Sequence, residues 1–400
     1  MKQSDNHIRN NLKVVFLSVF PPLRGGISRF SIYLQNHLSN YTDFVSYNYK
    51  KLYPDILFPG TSQFDQTSES RKIEQLAHTF HPLNWKHSAK TIDQEKPDVF
   101  IFSHWHPFVA PSTISILKNL KQKNPQLITS GIFHNVVPHE SFPFREYLTR
   151  RLIHFTDLPV VLSSQTENEF KETYPEKSPV RLFHPVYSRP LPTGSRQEIR
   201  QKYGISKNQL LFLFFGLIRD YKGLDLLFKA LHNLSPEALR MRIIVAGEFY
   251  TKAEPVLSLI PENWRDRIII ENRFIPDEEA DEILHASDVM LLPYRSASQS
   301  GILADAVNFG LPVICTDQPG FLDIITQDKH GMIVPSENVT ALSNAITEMA
   351  STANLSKMRE NVIQLQEELS WDRFSSALYH SIKKTVKKIH GTVDNTGFKH

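Results

Sequence analysis

The stretch that most constrains this chain is Leu210–Phe215, six apolar residues in a row, closed by Gly216 and followed by a change of hydrophobic period. An unbroken apolar run of that length suits a strand covered on both faces, as in parallel sheets. From Leu224 the apolar positions fall at Leu224, Leu227, Phe228, Leu231 and Leu234, the spacing of one helix face. The loop between carries Arg219, Lys222 and Gly223. A strand, a cationic loop and a helix start together suit a diphosphate, because the free N–H groups and the dipole of the helix attract anions. The plainer reading is a structural turn with two solvated cations, since short motifs often misfire.

Similar runs recur on either side. Leu12–Val19, Asp98–Ser103, Leu127–Phe133, Leu158–Ser163 and Val180–Phe183 read as strands before it. Arg242–Ala246, Arg267–Glu271, Val289–Leu292, Val313–Thr316 and Met332–Val334 read as strands after it. Helical stretches alternate with them, the first marked by Ile27, Phe30, Leu34 and Leu38, which implies parallel sheets with helices on both faces. Residues 50–71, with Pro54, Pro59 and Gly60, read as a long loop. His184–Arg196 holds three prolines and no periodicity, and reads as a linker. The expected plan is α/β, with two doubly wound, Rossmann-like domains over 1–189 and 190–370 facing across a cleft. An amphipathic helix over 371–390 and a disordered tail over 391–400 follow. Ligands of such sheets bind beyond the carboxyl ends of the strands. Gly25, Gly26, His104, His106 and His134 all fall there, although a lone histidine at a strand end is more often structural.

Three other stretches carry chemistry. Asp277–Glu282 is acidic, which a helix's first turn explains without a metal. Leu292–Pro312 reads as a strand end, a serine-rich loop and a helix over Ile302–Phe309. Ser298, Ser300 and Gly301 would let a ligand approach that helix start, or Ser300 would simply cap it. The last helix places Trp371, Phe374, Leu378, Ile382, Val386 and Ile389 on one face, with Lys383, Lys384, Lys387 and Lys388 near its end. A docking helix is the plain account, and peripheral contact with an anionic membrane surface the sharper one. A net charge of +3 over 400 residues gives no argument for nucleic acid. The lone cysteine, Cys315, excludes an internal disulfide and fits a reducing compartment. No run is long enough to span a bilayer, and the polar start lacks a signal-peptide pattern, so a cytoplasmic protein is expected.

Taken in order, these pieces resemble retaining glycosyltransferase family 4 (glycosyl transferases group 1), with the GT-B fold. Gly25-Gly26 matches that family's N-terminal glycine loop, and His134 its histidine beside the donor sugar. Gly216–Gly223 matches its phosphate loop, with Lys222-Gly223 at the family spacing. Phe274-Ile275-Pro276 resembles the segment lining the nucleobase pocket, and Gly310–Val313, Gly320 and Gly331 complete the C-terminal pattern. The sequence departs from it in two ways. Leu217 stands where the family's arginine follows the loop glycine, leaving Arg219 to reach the same phosphates. Of the family's two glutamates separated by seven residues, Asp305 replaces the second and Ala297 the first, so Gln299, Ser300 or loop N–H groups must hold the sugar.

The resemblance implies sugar transfer from a nucleoside-diphosphate sugar to a carbohydrate or lipid-linked acceptor hydroxyl, with retention of configuration. It implies a hexosyltransferase of glycan or glycolipid biosynthesis, without metal or cofactor. His134, Arg219 and Lys222 are the expected catalytic residues. Gly25, Gly26, Phe274, Ile275, Ser300, Gly301, Ile302 and Asp305 would bind the donor, and His104 and His106 would lie on the acceptor side. The C-terminal helix would dock back on the N-terminal domain. Two alternatives stay open: a catalytically silent subunit that binds a partner transferase, motivated by Ala297, and a nucleotide-sugar epimerase of the same fold. A nicotinamide dehydrogenase is disfavoured, because no Gly-x-Gly-x-x-Gly follows a strand.

Overall fold

The computed structural model describes residues 11–23, 26–52, 73–136, 144–187, 189–297, 300–351 and 353–394. They fall into two units, one formed by the chain up to Phe183 together with the stretch from Trp371 onward, the other by His184–Ser370. The sequence reading sets the first boundary at 189/190; the structure counts the irregular stretch from His184 in the second unit.

The first unit opens with β1 (Lys13–Ser18), α1 (Gly26–Leu38), β2 (Asp43–Lys51), β3 (Glu74–His78), α2 (Pro82–Gln94) and β4 (Val99–His104). It continues through α3 (Ala110–Lys123), β5 (Ile128–Phe133), α4 (Arg145–His154), β6 (Leu158–Val161), α5 (Ser164–Thr173) and β7 (Val180–Arg181). Its seven strands are parallel, in the order β3-β2-β1-β4-β5-β6-β7. The order reverses at β1, where Val14 pairs with Phe44 on one side and Val99 on the other. β4 and β5 are buried along their whole length, β4 through the apolar run Val99–Phe102 and β5 with the hydroxyls of Thr129 and Ser130 inside.

Two of these strands have no apolar run to announce them. β3 lies at the sheet edge and buries only Leu76 and Ala77. β2 buries Asn48, whose side chain accepts the Phe20 N–H and donates to the Phe20 carbonyl, each at 2.9 Å. Lys50 and Lys51 close β2 instead of opening the expected long loop. Residues 53–72, most of that loop, lie outside the described residues.

The second unit runs α6 (Arg196–Lys202), β8 (Leu210–Phe215), α7 (Leu224–Leu231), β9 (Met241–Ala246), α8 (Ala253–Leu257), β10 (Ile268–Glu271) and α9 (Asp277–Ala286). Then come β11 (Val289–Leu292), α10 (Gly301–Asn308), β12 (Val313–Thr316), α11 (Pro319–Leu322), β13 (Gly331–Val334), α12 (Val339–Ser351) and α13 (Leu355–Glu368). Its six strands are also parallel, ordered β10-β9-β8-β11-β12-β13. Leu224, Leu227, Phe228 and Leu231 of α7 pack into this unit's core, whereas Leu234 lies just past the helix end and is only partly buried.

The final helix, α14 (Trp371–Asp394), belongs to the first unit and packs on α1, β5 and β6. The rings of Trp371 and Phe374 meet Phe30 at centroid distances of 4.9 and 5.7 Å, and Leu378 and Ile382 are fully buried. Each such side chain contributes about 1.5–3 kcal/mol through burial. The apolar stripe is therefore a docking face, while Lys383, Lys384, Lys387 and Lys388 are exposed. The helix continues through Asp394, so 391–394 are helical and not part of a disordered tail; 395–400 lie outside the described residues. Among the described residues no helix is long and apolar enough to cross a membrane.

Candidate functional site

The strand order of the second unit reverses between β8 and β11. In a parallel sheet such a reversal opens a crevice beyond the carboxyl ends of the two strands. β8 delivers the loop Gly216–Gly223 to it, and β11 delivers Pro293, Tyr294 and Arg295. Gly216 and Gly223 have φ of 96° and 70°, a region that favours glycine. A Cβ on Gly223 would stand 2.1 Å from the Pro293 carbonyl oxygen. One on Gly216 would stand 2.9 Å from both Lys222 Nζ and Ile302 Cδ1. The two glycines thus let the loop close on the exit of β11 and bring Lys222 beside the start of α10.

Lys222 is 6% exposed, and its ammonium lies 5.5 Å from the centre of the Tyr294 ring. Among the described residues it has no hydrogen bond or ion pair. Burial, and then the nearby Arg219, bring its pKa down to about 8. An ammonium taken from water without an anion is costly, and an arriving anion would offset that cost. Arg219 is exposed, with its guanidinium 5.0 Å over the Tyr250 ring. Arg295 has a different task. It donates to both Asp225 carboxylate oxygens at 2.9 Å and to the Asp220 carbonyl at 2.7 Å, pinning the loop after β8 to the exit of β11. A pocket of about 300 Å³ opens beside the loop, lined by Arg219, Asp220, Asp225, Thr251 and Arg295 among others.

Ser300 is the N-cap of α10, its hydroxyl accepting the Leu303 N–H at 3.2 Å. The N–H groups of Gly301 and Ile302 stand in the uncompensated first turn. Among the described residues a side chain at Gly301 would meet nothing within 4 Å. The helix begins at Gly301, and Asp305, expected in its first turn, lies one turn further in. Its carboxylate is buried and accepts from Arg189 at 2.6 Å; Arg189 also pairs with Asp281 and stacks over Phe309. Asp305 is therefore held by its own unit, and the dipole account of it does not apply. Ala297 is buried and offers its carbonyl to the Gly320 N–H at 3.0 Å. Phe274 is 69% exposed and Ile275 buried on the loop after β10, at the same end of the sheet with β9 intervening. Gln299 and Ser298 lie outside the described residues.

In the first unit, Gly26 opens α1, while Gly25 lies outside the described residues. His134 follows β5, donating its N–H to the His104 carbonyl at 2.8 Å, its ring edge-on to Phe30 at 4.9 Å. His104 is not on an acceptor-facing surface. It is 1% exposed and packed on Phe133 at 5.4 Å, and burial, aided by His106, lowers its pKa to about 3. His106 caps the turn Pro107–Val109, its Nδ1 accepting the Phe108 N–H at 3.2 Å.

The structure thus brings Gly216, Arg219, Lys222 and Ile302 to one place, with Ser300 and Gly301 alongside. Sequence reasoning passed over Tyr294, Tyr250 and Arg295. The signal was available for Tyr294 and Arg295, which follow directly on Leu292 at the end of a buried strand.

Residues 195–367 match the family model described as Glycosyl transferases group 1. A D-inositol 3-phosphate glycosyltransferase of Xylanimonas cellulosilytica is 22% identical over 208 residues, 51% of this chain and 49% of that protein. The chain spans about half the length of the first curated relatives it matches. An uncharacterized glycosyltransferase of Methanocaldococcus jannaschii is 22% identical over 90% of this chain and 95% of its own. Among solved structures, HepE of Anabaena in complex with UDP superposes with a TM-score of 0.71 at 13% identity, covering 93% of this chain and 100% of that one. Sucrose-phosphate synthase of Thermosynechococcus elongatus superposes with a TM-score of 0.68 at 15% identity, covering 93% of this chain and 98% of that one. None of these similarities favours a silent subunit or an epimerase. The chain has the GT-B fold, and its residues 195–367 are similar to the Glycosyl transferases group 1 family.

Proposed function

We propose that this protein transfers a sugar, a hexose in the first instance, from a nucleoside diphosphate to an acceptor hydroxyl with retention of configuration. The observation that carries the reading is Lys222, a buried ammonium with no ion pair among the described residues, at the strand-order reversal and beside the start of α10. The domain match over the same residues supports it. In the reaction the bond from the anomeric carbon to the diphosphate oxygen breaks, and the acceptor oxygen bonds that carbon on the same face. The acceptor proton passes to a donor phosphate oxygen. Lys222, Arg219 and the N–H groups of Gly301 and Ile302 stabilise the charge gathering on the departing diphosphate, the kind of stabilisation that is usually the largest catalytic contribution. His134 positions the sugar. A carbohydrate or lipid-linked acceptor, and a place in glycan or glycolipid synthesis, complete the reading.

Binding should then follow the protonation of Lys222. With its pKa near 8 in the free protein and raised by a bound diphosphate, the cation is present below pH 8 and lost above it. Calorimetry from pH 7 to 9 should show affinity for a nucleoside diphosphate falling above pH 8, approaching about tenfold per unit. Lys222→Arg, always charged, should flatten that profile. A flat profile in the natural protein would remove Lys222 from the diphosphate. Because these cations come from the chain, turnover in chelator should equal turnover with magnesium. Complete loss in chelator, restored by manganese, would contradict this.

A further inference from the structure

At the opposite ends of the second unit's strands lies a pocket of about 360 Å³, lined by Arg196, Asp288, Leu355, Ser356 and Arg359. Asp288, just before β11, pairs with Arg196 at 2.5 Å and Arg200 at 3.0 Å, and accepts the Leu211 N–H at 2.7 Å. Its capacity is thus taken by α6 and the backbone. Arg359, on α13, is half-buried, and its hydrogen bond is to the Phe309 carbonyl at 3.3 Å. Among the described residues Arg359 forms no ion pair. Asp288 thus pairs with two of the three guanidiniums, and Arg196 also donates to the carbonyls of His285, Ala286 and Ser287. Burial, and then Arg196, lower the pKa of Arg359 against the pull of Asp288, and the same two arginines disfavour the charged form of the partly buried His285. The first turn of α13, a helix of 14 residues, opens on this pocket through Leu355 and Ser356, and its N-cap Asn354 makes no side-chain capping bond.

We propose that this pocket is a second anion site, taking a phosphate dianion between Arg359 and Arg196 at the start of α13. A dianion offsets the uncompensated charge and accepts from the first-turn N–H groups. The site is separate from the Lys222 crevice: Asp288 precedes β11 at one end and Tyr294 follows it at the other. Its ligand is inorganic phosphate or the phosphoryl group of a phosphomonoester.

Thermal unfolding of the full chain tests this, with inorganic phosphate and glycerol phosphate as probes against sodium chloride of matched ionic strength. Phosphate at ten times its dissociation constant should raise the melting temperature by about 3 °C. Arg359→Gln should abolish that rise without lowering the melting temperature in chloride, Arg359→Lys should keep part of it, and Lys222→Ala should keep all of it. A larger rise with glycerol phosphate assigns the site to a phosphomonoester, and an equal rise assigns it to free phosphate. A rise that chloride reproduces, that survives in Arg359→Gln, or that Lys222→Ala removes would overturn the proposal. Because nucleoside diphosphate binding is read separately in Arg359→Gln, where it should be unchanged, failure here leaves the donor site standing.

Discussion

Replacing Lys222 with methionine or alanine is expected to weaken nucleoside diphosphate binding about 10- to 100-fold without destabilising the free protein. A charged hydrogen bond to a buried anion contributes about 1.5–3 kcal/mol, and each 1.4 kcal/mol is tenfold in affinity. Stability should move the other way. The pKa of Lys222 is depressed from 10.5 to about 8, chiefly by burial. Below pH 8 the lysine is charged in both folded and unfolded states, and the full cost of burying that charge is present. The cost fades as pH rises from 8 to 10.5, because there only the unfolded chain keeps the proton. At pH 7 Lys222→Met, which retains the apolar stem, should therefore be more stable than the natural protein, by on the order of 2 kcal/mol. Calorimetry and denaturant unfolding on the same preparations separate the two effects. Unchanged affinity, or a large loss of stability, would make Lys222 a structural residue.

Asp305→Asn should cost about 2–4 kcal/mol of stability. Were Asp305 a first-turn carboxylate, the change would forfeit only about 0.3–1 kcal/mol of dipole interaction. Instead Asp305 and Arg189 are both nearly buried, at 12% and 10% side-chain exposure, and 2.6 Å apart. Removing one carboxylate leaves the buried guanidinium with Asp281 alone. Denaturant unfolding measures the loss. A loss under 1 kcal/mol would mean that the pair contributes little. Any role of Asp305 toward the ribose should be read at temperatures where the variant is fully folded.

The central strands were legible because burial on both faces forces an unbroken apolar run. β8, β11 and β12 occupy the ranges read from sequence, residue for residue. β2 and β3 were not legible, because an edge strand buries few residues and Asn48 places a polar side chain inside. The phosphate loop was legible in its residue types and glycine positions. That Lys222 is buried and faces Tyr294 was not, since burial there depends on α10 and the exit of β11, which reach the loop from 70 or more positions away. The tie between Asp305 and Arg189, 116 residues apart, was hidden for the same reason. His104 shows the opposite error. Its place at a strand end was read correctly, but the end of β4 is still inside the core.

The most direct measurement of the central claim is release of nucleoside diphosphate from a panel of common nucleoside-diphosphate sugars, by the natural chain and by Lys222→Met. The account predicts turnover or slow hydrolysis of at least one sugar nucleotide by the natural chain, and a loss of tenfold or more in the variant. A natural protein that neither binds nor hydrolyses any of them, or a variant that turns over as fast, would contradict it.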